Sequence, residues 1–95
     1  MPSLGGFYLE ELAGARAVRI WYGQRECLLT KSQVQTYYQS TTGNAASRRA
    51  QVLLWIKEQI VAAIGPENLS VEQISFEVNL AEGGLTNFEV REITS

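Results

Sequence analysis

The sequence contains no histidine and, by direct count, no aspartate, so all ten of its acidic residues are glutamates. The absence of histidine removes the side chain that most often acts as a general base near neutral pH. It also excludes the Ser-His-Asp and Cys-His arrangements of nucleophilic catalysis. We therefore expect a protein that is not an enzyme.

Cysteine is almost as scarce, because Cys27 is the only one and no disulfide can form within the chain. One thiol without histidine cannot complete a zinc site, which takes three or four Cys and His ligands. No segment carries the closely spaced Asp and Asn residues of an EF-hand loop. We expect no metal and no other cofactor, and a reducing compartment suits the chain.

Long apolar runs are missing too. Charged and amide side chains interrupt the apolar segments within residues 52–64, which fall well short of the ~18 residues of a membrane-spanning helix. The first residues lack the basic region and apolar stretch of a signal peptide. The expected location is the cytoplasm, or a virion if the chain is phage-encoded, with no membrane partner.

What the chain does have is the composition of one folded domain. It has 95 residues, of which 45% are hydrophobic, and a net charge of −2. Residues 1–14 are rich in glycine and predict an N-terminal arm, whose apolar plug around Phe7 and Tyr8 docks either on its own domain or on a neighbouring subunit. Residues 15–95 then form a single α+β domain.

A first β-hairpin is predicted within residues 15–29. Apolar residues alternate up to Gly23-Gln24, a two-residue turn with glycine in the first position that a type II′ turn requires. This turn sets the register. The expected cross-strand pairs are Tyr22–Arg25, Ile20–Cys27 and Val18–Leu29. Cys27 then lies in the core as a structural residue. Trp21 and Leu28 share the opposite face with Arg19 and Glu26, and in a sheet with nothing packed on that face these two large apolar side chains would be exposed to solvent.

Two helices follow. Thr30 and Gln33 form a capping box for a short helix over residues 31–39. The second helix runs over residues 45–64, with Asn44 or Ser47 as its cap and Gly65 as its stop. Its expected buried face is Ala46, Ala50, Leu53, Ile56, Ile60 and Ile64. Leu54 and Val61 widen this face on one side, and Val52 and Ala63 widen it on the other. Trp55 lies among polar residues on the other side. Its ring either lies flat over neighbouring side chains, packs under a loop, or serves as an interface anchor.

A second hairpin is predicted within residues 72–93. A three-residue loop over residues 82–84 pairs Val78 with Phe88 and Phe76 with Val90, and it leaves Leu85 near the turn. The complete order is β-β-α-α-β-β. We expect the two hairpins to form one mainly antiparallel four-stranded sheet, with the long helix packed on one face.

Charge is distributed unevenly along the chain, with six of the eight basic residues before residue 50 and seven of the ten glutamates after it. One hypothesis from this asymmetry is a small nucleic-acid-binding regulator with basic and aromatic contact residues. Its candidate residues are Arg19, Arg48, Arg49, Tyr37 and Tyr38.

The favoured hypothesis is a non-catalytic structural, assembly or adaptor protein. The oppositely charged halves can pair head-to-tail between copies, so we expect a homo-oligomer or contacts with other proteins of an assembly. A phage or virus particle component is the most concrete form. The candidate interface residues are Phe7, Tyr8, Trp21, Leu28, Trp55 and Leu85.

Overall fold

The computed structural model describes residues 7–12, 17–79 and 84–91. In this part of the chain two helices and a single 3₁₀ turn, Val71–Gln73, separate three strands from a final pair. The elements in order are β1 (Phe7–Leu12), β2 (Ala17–Tyr22), β3 (Arg25–Thr30), α1 (Lys31–Ser40), α2 (Ala45–Ile64), β4 (Ile74–Asn79) and β5 (Gly84–Val90).

The strands form two antiparallel sheets. One has the order β1-β2-β3, and the other is the hairpin β4-β5. The α+β class is confirmed, but the prediction of a single four-stranded sheet is wrong. Strand β1 occupies the edge of β2, and β5 contacts β1 and β2 without joining their hydrogen-bonded ladder.

The predicted N-terminal arm contains strand β1. Phe7 pairs with Tyr22 at one end of the β1–β2 ladder and Leu12 pairs with Ala17 at the other. The rest of the arm, residues 1–6 and 13–14, lies outside the described residues. The domain boundary at residue 14 stays a prediction.

The first hairpin has the predicted register. The three expected pairs, Tyr22–Arg25, Ile20–Cys27 and Val18–Leu29, are all present. Gly23 has φ 62°, the positive angle that the first position of this turn requires. Turn chemistry and side-chain alternation agree here, which fixes the pairing.

The helix boundaries follow from capping side chains. Thr30 Oγ1 accepts a hydrogen bond from the Gln33 amide at 3.2 Å, and Gln33 Oε1 accepts one from the Thr30 amide at 2.9 Å. Asn44 Oδ1 accepts from the Ser47 amide at 2.8 Å and so caps α2. Gly65 ends α2 with φ 108°, a conformation that non-glycine residues rarely adopt.

The core lies between α2 and the sheets. Its buried residues from α2 are Val52, Ile56, Ile60 and Ile64, which are fully inaccessible to solvent. Strands β2 and β3 contribute Ile20, Cys27 and Leu29, and the second hairpin contributes Ile74, Val78 and Val90. All of these residues form one cluster, so the two sheets share a core.

The predicted buried face of α2 is only half right. Ala46 and Ala50 are exposed, Leu53 is partly buried, and Leu54, expected at one margin of the face, is 50% exposed. Val52, expected at the other margin, is fully buried. The buried residues recur at every fourth position, and this spacing turns gradually around the helix. Helix α2 contacts α1 on one side and the sheets on the other. These contacts bury the row of residues that contains Val52 rather than the row that contains Ala46 and Ala50.

The predicted register of the second hairpin is wrong. Ile74 pairs with Val90 and Val78 with Leu85, instead of Phe76 with Val90 and Val78 with Phe88. A β-bulge places Phe76 opposite two residues of β5, 87 and 88. The prediction assumed an uninterrupted ladder and assigned Gly84 to the loop, whereas Gly84 is the first residue of β5.

Candidate protein interface

The outer patch is the group of four side chains on the β2–β3 face opposite the core. It consists of Arg19, Trp21, Glu26 and Leu28. Strand alternation places these residues outward, because Ile20, Cys27 and Leu29 between them point into the core. The structure thus brings Arg19, Trp21 and Leu28 together, as the sequence predicted.

Internal contacts neutralise and order the outer patch. Arg19 Nε lies 2.7 Å from Glu26 Oε2, and the Arg19 guanidinium lies 5.5 Å from the centre of the Trp21 ring. Leu28 stands beside this group with 44% of its surface exposed, although it is a large apolar residue. The patch is therefore an ordered Arg-Trp-Glu cluster with an exposed leucine, and two of its residue types, Trp and Arg, are enriched at interface hot spots.

Three other predicted interface residues are known here only by backbone position. Phe7 and Tyr8 lie in β1, paired with Tyr22 and Trp21 respectively. Leu85 lies in β5, paired with Val78. Tyr8 is therefore adjacent in the ladder to Trp21 of the outer patch.

Trp55 lies elsewhere, between the two helices. Its ring stacks on Tyr37 of α1, with centroids 4.6 Å apart and planes 8° from parallel. The pair lines an open groove of about 380 Å³. The groove's lining residues are Ser32, Gln33, Thr36, Tyr37, Ser40 and Trp55, and we call it the α1–α2 groove.

The sequence contained a signal for this groove that the prediction missed. Ser32, Thr36 and Ser40 are four residues apart, and so are Gln33 and Tyr37, so that all five lie on one face of α1. That face is small and polar rather than apolar. Tyr37 on this face stacks on Trp55. This stacking explains why Trp55 lies among polar residues on α2.

Arg48 connects the end of α1 to the start of α2. Its Nε donates to Thr41 Oγ1 at 3.0 Å and its Nη2 donates to the Tyr38 carbonyl oxygen at 3.0 Å. The guanidinium carbon lies 4.2 Å from the centre of the Tyr38 ring. The positive charge of Arg48 is therefore placed at a carbonyl in the last turn of α1, where it is favourable. This interaction compensates the unfavourable position of the same charge at the start of α2.

Arg49 is used in a similar way. Its Nη2 donates to the Val78 carbonyl oxygen at 2.9 Å and so ties α2 to β4. Of the five residues proposed for nucleic-acid contact, four therefore hold other parts of the chain: Arg48 and Arg49 bond to carbonyls, Tyr38 packs under Arg48, and Tyr37 packs on Trp55. Arg19, the fifth, belongs to the outer patch.

Cys27 is buried, as predicted, with 5% of its surface exposed. Its Sγ lies 3.8 Å from the Gln59 carbonyl oxygen of α2. Burial in apolar surroundings raises the pKa of this thiol from its ordinary 9.0 to about 11. At neutral pH the residue is a protonated packing group rather than a nucleophile.

Within residues 7–12, 17–79 and 84–91, no three His, Cys, Asp or Glu side chains lie close enough together to hold a metal ion. Neither helix of that part is long and apolar enough to cross a membrane. Comparisons with protein-family models, with curated proteins and with solved structures return no match for this chain.

Proposed function

We propose that this protein is a non-catalytic assembly or adaptor protein that acts through protein–protein contacts, in the first place with other copies of itself. The outer patch carries the proposal. Its exposed Leu28 beside an ordered Arg19–Trp21–Glu26 cluster supports burial against a protein surface. A component of a phage or virus particle is the most concrete form of this function.

The charge state of the patch favours a protein partner over a polyanion. The arginine is already paired with a carboxylate, so a phosphate would have to compete with Glu26 for it. The ion pair is partly exposed in the free chain and so contributes little to stability there. When a partner buries the Arg19–Glu26 ion pair, water no longer competes for its hydrogen bonds. The fixed geometry of the pair then makes the contact with the partner directional and specific.

The test compares two exposed leucines. Leu28→Glu places a charge on the outer patch, whereas Leu54→Glu places the same charge at a site on α2 that is 50% exposed. We expect light scattering behind a sizing column to show an oligomer for the unchanged protein and for Leu54→Glu. Leu28→Glu should raise the dissociation constant at least tenfold.

Circular dichroism of both variants provides the folding control, since an unfolded Leu28→Glu protein would be uninformative about contacts. In that event the milder Leu28→Thr, which introduces a β-branched residue that is favourable in a strand, replaces it. Equal association by the folded Leu28 and Leu54 variants would contradict the proposal. So would an unchanged protein that stays at 10.6 kDa across the concentration series.

A further inference from the structure

Strand β3 lies at an edge of its sheet, and in the described part of the chain no further strand pairs with it on that side. Its hairpin with β2 closes with a hydrogen-bonded pair next to the two-residue turn, Tyr22–Arg25, and such pairs recur at every second position of an antiparallel ladder. The backbone N–H and C=O groups of Cys27 therefore point toward β2. Those of Glu26 and Leu28 point the other way, toward the free edge.

The free edge of β3 presents a short row of donors and acceptors. Within the part of the chain that the structure describes, no hydrogen bond engages the outward backbone groups of Glu26 and Leu28. The next outward residue, Thr30, is already engaged, because its amide donates to Gln33 Oε1 at 2.9 Å and its carbonyl, as the N-cap of α1, belongs to the helix. An unpaired edge of this kind is a template for another strand.

Helix α2 does not close off this edge. The Gln59 carbonyl oxygen lies 3.8 Å from Cys27 Sγ, so α2 passes over β3 at this point. The side chain of Gln59 is nevertheless exposed, as are Glu26 and Leu28 below it. The side of α2 above the edge therefore faces solvent.

A second copy of β3 complements this row. Opposite residues of an antiparallel pair point to the same face of a sheet, so a core-facing residue has to pair with a core-facing residue. Pairing Cys27 with Cys27 of the second copy meets this requirement and places Glu26 opposite Leu28. Each Glu26 then exchanges both of its free backbone hydrogen bonds with Leu28 of the other copy, across a two-fold axis.

Charge and hydrogen bonding exclude the neighbouring registers that keep the same faces together. A shift of the pairing by one step in one direction places Glu26 opposite Glu26 of the second copy, which is unfavourable for like charges. A shift in the other direction brings Arg25 against Lys31, again two like charges. It also pairs Glu26 with Thr30, whose amide is occupied. The register centred on Cys27 places no like charges opposite each other.

We infer that two copies of this chain join at the free edges of β3, in the register centred on Cys27, so that their three-stranded sheets become one. The inference rests on the self-association proposed above and supplies its geometry. On the outer face, Trp21 and Glu26 of one copy share a cross-strand row with Leu28 and Arg19 of the other. The two outer patches thus become one continuous surface.

Amide hydrogen exchange of the isotope-labelled protein, followed by NMR across a concentration series, tests this pairing. Where light scattering gives 10.6 kDa, the amides of Glu26 and Leu28 should exchange at least tenfold faster than that of Cys27, which points to β2. Where the mass has doubled, the Glu26 and Leu28 amides should exchange at least tenfold more slowly than in the monomer. Association through the outer face alone would leave them fast.

Two substitutions of Glu26 test the same contact in a different way. Glu26→Pro removes the edge donor, and Glu26→Val loses the same carboxylate but keeps the amide. Proline is tolerated at an edge position whose N–H faces solvent, so both variants should fold, which circular dichroism checks. We expect the dissociation constant of Glu26→Pro to be at least tenfold above that of Glu26→Val.

Two results would overturn the inference: oligomers in which the Glu26 and Leu28 amides exchange as fast as in the monomer, and equal association by the two folded Glu26 variants. Either result would leave the proposed function standing, because the copies would then associate through another surface. A protein that stays monomeric at every concentration would overturn both. If Glu26→Pro does not fold, the exchange measurement on the unchanged protein decides alone.

Discussion

Replacing Arg48 with methionine should lower the free energy of unfolding by about 2 kcal/mol, although the residue lies on the surface side of α2. Methionine keeps most of the aliphatic stem and removes the guanidinium. The change therefore deletes the hydrogen bonds to Thr41 Oγ1 and to the Tyr38 carbonyl oxygen, together with the ring contact at 4.2 Å.

The magnitude follows from opposing contributions. A hydrogen bond from a charged donor contributes roughly 1.5–3 kcal/mol and an exposed cation–π contact roughly 0.5–1 kcal/mol. Two effects reduce the loss. The amide and hydroxyl of Thr41 still donate to the Tyr38 carbonyl oxygen after the change. Removing a positive charge from the first turn of α2 also returns roughly 0.3–1 kcal/mol.

Urea denaturation followed by circular dichroism measures this loss, which corresponds to a fall in Tm of roughly 8–16 °C for a domain of this size. Arg49→Met is the matched control, because Arg49 makes one such bond, to the Val78 carbonyl oxygen, and should cost about half as much. Arg48→Lys should recover only part of the loss, since lysine lacks the planar fork. If the free energy of unfolding of Arg48→Met lay within about 0.5 kcal/mol of that of the unchanged protein, the stabilising contacts of Arg48 with Thr41 and Tyr38 would be refuted. Arg48 would then be available to bind a phosphate.

Two further predictions concern Cys27 and Gly65. Because the pKa of the folded-state thiol is about 11 against 9.0 when unfolded, the unfolded state loses its proton first as the pH rises. Below pH 9 this group should not affect the free energy of unfolding, which should fall by up to about 3 kcal/mol between pH 9 and 11. Cys27→Ser, measured by urea denaturation, should lack most of this dependence. Gly65→Ala should cost about 1–3 kcal/mol because φ is 108°. The new Cβ would lie 2.7 Å from both Arg25 Nη1 and Glu67 Oε1. Adding Arg25→Ala and Glu67→Ala together removes this crowding but should not restore stability, and restoration would show that crowding rather than backbone strain is the cause.

Local signals in the sequence were sufficient where two of them agreed. The first hairpin was predicted correctly because the Gly23-Gln24 turn and the apolar pair Ile20–Cys27 demand the same register. The helix ends were predicted because Thr30 and Asn44 each satisfy a backbone amide within three residues. Such interactions are complete within a short segment and need no knowledge of the rest of the fold.

The failures arise where distant parts of the chain decide. The hairpin turns between Asn79 and Gly84, so the predicted loop over residues 82–84 gives the wrong partner for Val78, and the bulge opposite Phe76 shifts the pairing by one residue toward the open end. The pairing of Phe7–Leu12 with β2 has no turn signal as specific as Gly23, and it adds a third strand to the first sheet. The uses of Arg48 and Arg49 were not readable either, since their acceptors belong to α1 and β4.

We propose that the outer patch is buried between copies of this chain. The most direct test records the mass by light scattering and the Trp21 emission in one concentration series, using Trp55→Phe so that Trp21 is the sole indole. We predict that the emission shifts to shorter wavelength over the same concentrations at which the mass rises above 10.6 kDa. A constant mass, or a rising mass with unchanged Trp21 emission, would contradict the claim.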